Sequence, residues 1–511
     1  MKKAASIVFI AGVLFLCLLP SAGMLIFGES QGGANEILAS RPSLMTEEGR
    51  LNPDFPAELT DYFADRFAFR QQCITADAAL KAAVFHESAA EDVILGKKDQ
   101  TGDWLYYAKT KNDWLHADTL SQGQVRNIAH TLALAQEYAR SQGAVPVFTV
   151  APNKNSIYPD YMPYQGNPPG QPKNLELLTE ALAEEGVSYA DLTQTLYRAA
   201  RQEETAGTDP ADTLYHRLDS HWTARGAALG MQCIMKALGT EGRDWSREPY
   251  TLKQVHKGDL YEMLFPAGQK LDYDAVYSQK ADFEYLQEET AADGSTVYRS
   301  TGLRYGDDGA PRYDSLRIDT KSGGPVAGRL LMFRDSFGNA LYPFLADSFQ
   351  RATFSRQLPW RLDWLLQDDG DEIRYVVMEI VERNLGDLAV KAPVMPAPER
   401  TAPAGNISRE TAGTLSADLR AEVSAELTGY VKVTGQAGAS GDAVRGFQVY
   451  LQAGDRIFEA SPVGEGPDGQ GGNGCFTAFL PEEVLKEQSV SVILWDKSEF
   501  YVSGQEVLSY E

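Results

Sequence analysis

The spacing of apolar residues changes several times along the chain, and each change predicts a new element. From Ala4 to Phe27 there are 24 residues without a charge, preceded by Lys2 and Lys3. At about 1.5 Å rise per residue, a helix of that length crosses a hydrocarbon core of about 30 Å. A polar stretch from Glu29 to about Arg50 follows. Leu51 to Phe85 is then amphipathic, and the helical spacing of Leu59, Tyr62, Phe63 and Phe67 predicts ordinary core packing. Val125, Ile128, Leu132, Ala135 and Ala139 recur at steps of 3, 4, 3 and 4, which is one stripe of a helix ended by Gly143. The run Ala144 to Val150 reads as a strand, punctuated by Ala151-Pro152-Asn153-Lys154. Next come a helix near Leu175–Glu185, a short strand at Val187–Tyr189, a helix over Thr223–Leu238, and strands at Arg329–Phe333 and Arg374–Ile380.

Alternating β and α elements predict an α/β fold, a parallel sheet with helices on both faces. Aromatic, alternating patches from about 240 to 328, with a turn at Ala292-Asp293-Gly294, predict an insertion of β-hairpins. Pro and Ala dominate Val390–Pro403, a linker composition. Alternating runs around Val431, Val449 and Val492, broken by Gly-rich turns, predict a terminal β-sandwich. The expected division is a hydrophobic segment at 1–28, a linker at 29–50 and an α/β domain at 51–389. A second linker at 390–424 and a β-sandwich-like accessory domain at 425–511 complete it.

Composition narrows the setting. The 511 residues carry 47 Lys and Arg against 71 Asp and Glu, a formal charge of −24. Such a polyanion repels phosphate backbones, so nucleic acid is not an expected partner. The hydrophobic start reads as an export signal with two open fates. Ser21-Ala22-Gly23 offers small residues for cleavage, whereas the apolar continuation through Met24–Phe27 favours a retained anchor with positive-inside orientation. Either fate places the remainder outside the cytoplasm. With Cys17 in the apolar segment, Cys73, Cys233 and Cys475 form an odd set, read either as a Cys73–Cys233 bridge or as inert thiols. His216 and His221 are five apart, which fits neither a helical i, i+4 pair nor a zinc signature, so no metal and no cofactor are expected.

Two segments carry candidate chemistry. In Arg217-Leu218-Asp219-Ser220-His221-Trp222-Thr223, an extended or turned backbone puts Asp219 and His221 on one side, where the carboxylate fixes the imidazole tautomer. Thr223 is a candidate N-cap for the helix behind it. In Leu330-Leu331-Met332-Phe333-Arg334-Asp335-Ser336-Phe337-Gly338-Asn339, an apolar strand runs into a polar turn and then an apolar helix. That arrangement presents the Ser336 hydroxyl beside the N–H groups of the coming helix. A serine hydroxyl needs a base, and the base needs an orienting group. Ser336, His221 and Asp219 offer the three roles, yet Ser336 and His221 are 115 residues apart, so only the fold can unite them.

Asp219-Ser220-His221-Trp222-Thr223 resembles the signature of the DHHW proteins, with Ser220 where the name-giving motif has His. Further blocks match in order: Tyr62 to Arg70, Asp103 to Tyr107, Pro152-Asn153-Lys154 with Ile157-Tyr158-Pro159, Asp335 to Asn339, and Glu379 with Arg383-Asn384-Leu385. That family is similar to the alginate O-acetylation proteins, which have an SGNH-hydrolase-like domain. The resemblance covers about 41–388 and implies a three-layer SGNH-hydrolase-like fold and a serine-dependent O-acetyltransferase acting on an exopolysaccharide or cell-surface glycan through an acyl-enzyme. The implied acyl donor is one supplied by a membrane acyltransferase. An esterase of the same fold and a non-catalytic glycan-binding or assembly protein are the alternatives. Carried over, Ser336 is nucleophile, His221 base and Asp219 orienter, and Asn339 with the backbone at Ser336 forms the oxyanion site. Lys154 is expected to touch substrate or donor, or to be a solvated loop residue. Arg334 and Arg383 are expected to bind a sugar carboxylate or to pair structurally. Tyr450, Trp495, Phe500 and Tyr501 are candidates for sugar stacking, set against burial in the sandwich.

Overall fold

The computed structural model describes all residues except 1, 33–35, 100–101, 165, 167–171, 291–295, 367–371, 402–412, 439–447, 465–473, 487, 496–499 and 511. The predicted turn at Ala292-Asp293-Gly294, and Gly446 and Phe447 of one predicted strand, lie outside the described residues.

Strand Val326–Phe333 ends in the apolar run Leu330–Phe333, behind the buried Arg329. Leu330 and Met332 enter one apolar core, and Leu331 and Phe333 the other. Only a strand covered on both sides buries a continuous apolar run in this way. It lies inside an eight-stranded sheet whose spatial order is Tyr189–Ala190, Val145–Ala151, Ile373–Val381, Val326–Phe333, Phe349–Ser355, Arg317–Ser322, Phe283–Thr290 and Thr296–Arg304. The first five are parallel. The last three run antiparallel and come from the predicted insertion, which therefore widens the sheet rather than standing apart from it. Helices Gln122–Ser141 and Asn174–Glu184 cover one face. Leu192–Ala206, Ala224–Ala237 and Gly338–Ser348 cover the other. The α/β, three-layer expectation holds, with a mixed rather than purely parallel sheet.

Some local expectations need correction. The short strand predicted at Val187–Tyr189 is Tyr189–Ala190. Helix Leu192–Ala206 and strand Phe349–Ser355 went unforeseen. The amphipathic stretch after residue 51 is two helices, Phe55–Arg66 and Arg70–Val84, separated by extended Phe67 and by Phe69 at φ 66°. Of its supposed core residues Tyr62 is buried, but Leu59 and Phe63 are 44% and 38% exposed, because the short first helix turns only Tyr62 inward. The N-terminal helix spans Lys2–Phe27. Among the described residues no single helix is long and apolar enough to cross a membrane, but the pair Ser6–Phe15 and Leu18–Phe27, bent by 43°, passes that test together. Pro20 lies four residues past Leu16, where a proline ring displaces the helical carbonyl and bends the axis.

Beyond the sheet, the stretch read as a linker carries structure. Glu399–Arg400 pairs with Arg456–Ala460, and Ser416–Val423 pairs with Tyr430–Gly438. Its prolines are tolerated because neighbouring groups do the bonding: Ala397 N–H donates to Phe479 O at 2.9 Å, and Pro398 O accepts from Glu459 at 2.9 Å. The terminal strands form a three-stranded and a seven-stranded sheet enclosing one apolar core. Tyr450, between the core residues Val449 and Leu451, is buried, and Trp495 stacks on Phe500 with centroids 5.9 Å apart. The Cys73–Cys233 bridge is not formed: Cys73 is exposed, whereas Cys233 sits half-buried against Thr195.

Candidate active site

The Ser336 turn follows from the strand before it and the acid inside it. Where Val326–Phe333 ends, Asp335 Oδ2 accepts from the Val381 N–H at 2.7 Å and Oδ1 from the Phe337 N–H at 2.8 Å, while the Asp335 N–H donates to Glu379 Oε2 at 3.0 Å. Burial and the charge of Asp335 push the Glu379 carboxyl well above its ordinary range, which favours a neutral acid beneath the turn. Gly338 is required at the turn because a Cβ there would meet the Arg334 Cβ at 2.5 Å. Helix Gly338–Ser348 starts directly behind the half-buried Ser336.

The second loop is tied down by backbone bonds and one buried cation. His216 N–H donates to His221 O at 3.1 Å, and Thr223 N–H to Leu214 O at 2.9 Å. Thr223 caps helix Ala224–Ala237 by accepting from the Gly226 N–H at 3.3 Å. Lys154, 3% exposed, donates to the carbonyls of His216, Arg217 and Asp219 at 3.0, 3.2 and 2.5 Å. Burial lowers its ammonium to about 8, with Asp219, Asp259 and Asp272 opposing. Neither expectation for Lys154 holds: it is a pin under the loop, enclosed where substrate cannot reach, because three carbonyls converge on it. The indole of Trp222 donates to Phe337 O at 3.1 Å and so joins the two loops.

That joint brings distant groups together. His221 Nε2 lies 2.9 Å from Ser336 Oγ, and His221 Nδ1 lies 2.7 Å from Asp219 Oδ1. Asp219 is buried and accepts two further bonds on Oδ2, from His256 Nε2 at 2.8 Å and the Asp259 N–H at 2.9 Å, plus the His221 N–H on Oδ1 at 2.8 Å. Burial alone would raise this carboxyl, but the bonds and charges of His221 and His256 hold it well below the ordinary carboxylate range. Burial pulls the His221 imidazole down, and the bond and charge of Asp219, with Asp259 adding, reverse this and hold it above the usual value. Ser220 Oγ donates to Asp259 Oδ2 at 2.6 Å and sits 3.2 Å from His221 Nδ1. A hydroxyl thus bridges to Asp259 at the position where the DHHW motif has His. Asp259 itself is raised by burial and by the Asp219 charge.

His256 and Asp259 were not foreseen. Both come from the insertion, and the one available signal was scarcity: the chain has 6 His, and three of them gather here. His216 is buried, its imidazole lowered to about 3 by burial and by His256, on whose ring it stacks at 3.8 Å and 11°. His216, His256 and Asp274 place potential metal-ligand atoms within 4.8 Å of one another, as do Asp219, His221 and Asp259. In the first trio His256 Nε2 already bonds Asp219 at 2.8 Å, and His216 Nδ1 lies 3.1 Å from Tyr273 O. In the second, each group is already hydrogen-bonded within the relay.

The remaining candidates divide. Asn339 lines the same cleft as Ser336, a space of about 1120 Å³. Its Oδ1 accepts from Arg334, which leaves Nδ2 as the donor of that amide. Arg334 is 3% exposed and also donates to the carbonyl of Tyr313 at 2.8 Å; burial lowers its guanidinium to about 10. It is a brace for Asn339 and the Tyr313 loop, not a fork offered to a sugar. Arg383 lies over the rings of Tyr107 and Phe337 at 5.2 and 5.3 Å.

A hydroxyl just past the end of a parallel strand, with an imidazole and a buried carboxylate delivered in series by the loop before helix Ala224–Ala237, is an arrangement of the kind found in serine-dependent hydrolases and acyltransferases. Residues 93–298 match the family model described as the SGNH hydrolase-like domain of the acetyltransferase AlgX. That segment is SGNH hydrolase-like and takes in Lys154, Asp219, His221 and His256, and it ends before Ser336. Among solved structures, a DHHW family protein from Eubacterium siraeum is 16% identical with a TM-score of 0.41, covering 58% of this chain and 92% of its own. The O-acetyltransferase domain of Pseudomonas putida AlgJ is 18% identical with a TM-score of 0.32, over 57% and 91%. Pseudomonas aeruginosa AlgX is 12% identical with a TM-score of 0.31, over 79% and 89%. No curated protein gives a significant match.

Proposed function

We propose that the chain is an extracytoplasmic O-acetyltransferase that moves an acetyl group onto a glycan hydroxyl through an acyl-enzyme on Ser336. The observation that carries this is the pair of bonds Ser336 Oγ to His221 Nε2, 2.9 Å, and His221 Nδ1 to Asp219 Oδ1, 2.7 Å, opening on a cleft. The match to an acetyltransferase domain supports the same chemistry.

Ser336 Oγ attacks the donor carbonyl while His221 Nε2 takes its proton, and ionised Asp219 stabilises the imidazolium. Negative charge on the carbonyl oxygen is met by the backbone at Ser336 and by Asn339 Nδ2. The imidazolium returns its proton to the leaving oxygen, and the acetyl group remains on Ser336. A sugar hydroxyl then enters, His221 removes its proton, the new ester forms, and the proton returns to Ser336. The hydrophobic segment ending at Phe27 would hold this chemistry at the outer membrane-facing side, with donor delivered by a membrane acyltransferase.

The test is direct. The full-length chain should release phenolate from an aryl acetate, and Ser336→Ala or His221→Ala should lower kcat/KM by roughly 10³ or more. Wild-type rates in both variants would end this reading. Acetyl gain on an oligosaccharide, set against free acetate, separates transfer from hydrolysis.

A further inference from the structure

The charges around Ser336 do not suit an acidic sugar. Among the described residues that line the cleft are seven carboxylates, two lysines and no arginine. Asp219 is held by His221 and His256, Glu36 by Arg70 and Glu262 by Lys257, which leaves Glu91, Asp92, Asp259 and Asp274 against Lys280. Asp259 and Asp274 belong to the floor, and Glu91 and Asp92 are exposed at the rim. Of the lysines, Lys257 is engaged by Glu262 at 2.7 Å. Of the guanidiniums close by, that of Arg334 is turned onto Asn339 and the Tyr313 carbonyl, and that of Arg383 lies over the rings of Tyr107 and Phe337. The bidentate fork that recognises a carboxylate is therefore missing from this wall. A second kind of surface accompanies the carboxylates. Tyr305 and Tyr313, 37% and 58% exposed, lie on the same cleft and offer ring faces with a polar tip, a surface suited to a sugar ring.

Resting on the function proposed above, we propose that the acceptor is a glycan without carboxylates, uncharged or bearing free amines, and that polyuronates are rejected. A low-dielectric cleft lined by one sign of charge concentrates the opposite sign and repels its own. Carboxylates also accept hydrogen bonds from sugar hydroxyls and ammonium groups.

The full-length chain is supplied with aryl acetate and one of three pentasaccharides: cello-oligosaccharide, its fully amine-bearing glucosamine counterpart, or oligomannuronate. Base-labile acetyl gain is followed by mass. The expected result is that the neutral or amine-bearing acceptor exceeds the uronate by at least tenfold in kcat/KM at low salt, and that the gap narrows as salt screens the cleft. Glu91→Lys with Asp92→Lys should narrow it severalfold. Equal or faster acetylation of the uronate would overturn the inference while leaving the acyl-enzyme intact. Failure to cleave aryl acetate would instead remove the underlying function. If nothing is acetylated, calorimetry on Ser336→Ala decides: tighter binding of the uronate, or no binding of either other sugar, also overturns it.

Discussion

His256 donates to the oxygen of Asp219 that His221 does not use, at 2.8 Å. Replacing it by Ala removes one of four donors from a buried carboxylate that remains ionised because of them. A hydrogen bond to a charged group contributes about 1.5–3 kcal/mol, which corresponds to a ten- to hundredfold loss of kcat/KM if the whole is felt in the transition state. Asp219 becomes easier to protonate, so the carboxylate on which turnover depends is lost at a higher pH than in the wild type. The acid limb of kcat/KM, already displaced upward by the raised His221, should therefore move to still higher pH. His256→Gln keeps an N–H at the Nε2 position and should restore most of the rate and the limb. The assay is aryl acetate turnover across the pH range for the three proteins. If His256→Ala stays within twofold of wild type with an unmoved limb, or if Gln behaves as Ala does, His256 does not position Asp219.

Lys154→Met should destabilise the fold by roughly 2–5 kcal/mol and lower turnover with it, because the buried carbonyls of His216 and Asp219 lose their ammonium partner. Arg217 O keeps the Leu105 N–H at 2.9 Å. Chemical denaturation reads the loss, and an unchanged midpoint would refute the pin. His130 has Glu185 on Nδ1 and Glu459 on Nε2, each at 2.9 Å, so both nitrogens must be protonated. Burial opposes the charge, but the two carboxylates raise the imidazole to about 9. Its contribution, roughly 3 kcal/mol, is full below the ordinary His value and is lost as pH rises through about 9. Melting of wild type against His130→Leu from neutral to alkaline pH should show the gap closing; a constant gap would refute the charged bridge.

The parts legible in the letters are those set by local pattern. Strands buried on both faces carry short apolar runs such as Leu330–Phe333 and Val376–Met378, which is why Val145–Ala151, Val326–Phe333 and Ile373–Val381 were predicted within a few residues. Phe349–Ser355 escaped because its inward Thr353 is polar, satisfied by Arg329 and Asp319 from neighbouring strands. Helix Leu192–Ala206 escaped because only Leu192, Leu196 and Ala200 are buried along it. Lys154 looked like a loop lysine because its partners are backbone carbonyls, which no side-chain spelling reveals.

The same reasoning explains why the relay motif is insufficient on its own. Asp-x-His supplies Asp219 with the two donors of His221, one from the ring and one from the backbone. The other oxygen is satisfied only by His256 and the Asp259 N–H, both within the insertion. An ionised carboxylate buried with half its acceptors empty would instead take up a proton, and a neutral acid cannot stabilise an imidazolium. The segment that widens the sheet with three antiparallel strands therefore also sets the protonation state of the relay. Shortening it between Tyr250 and Tyr277, the hairpin that holds His256 against Asp272, should cost activity even where the parallel strands and Ser336 remain in place.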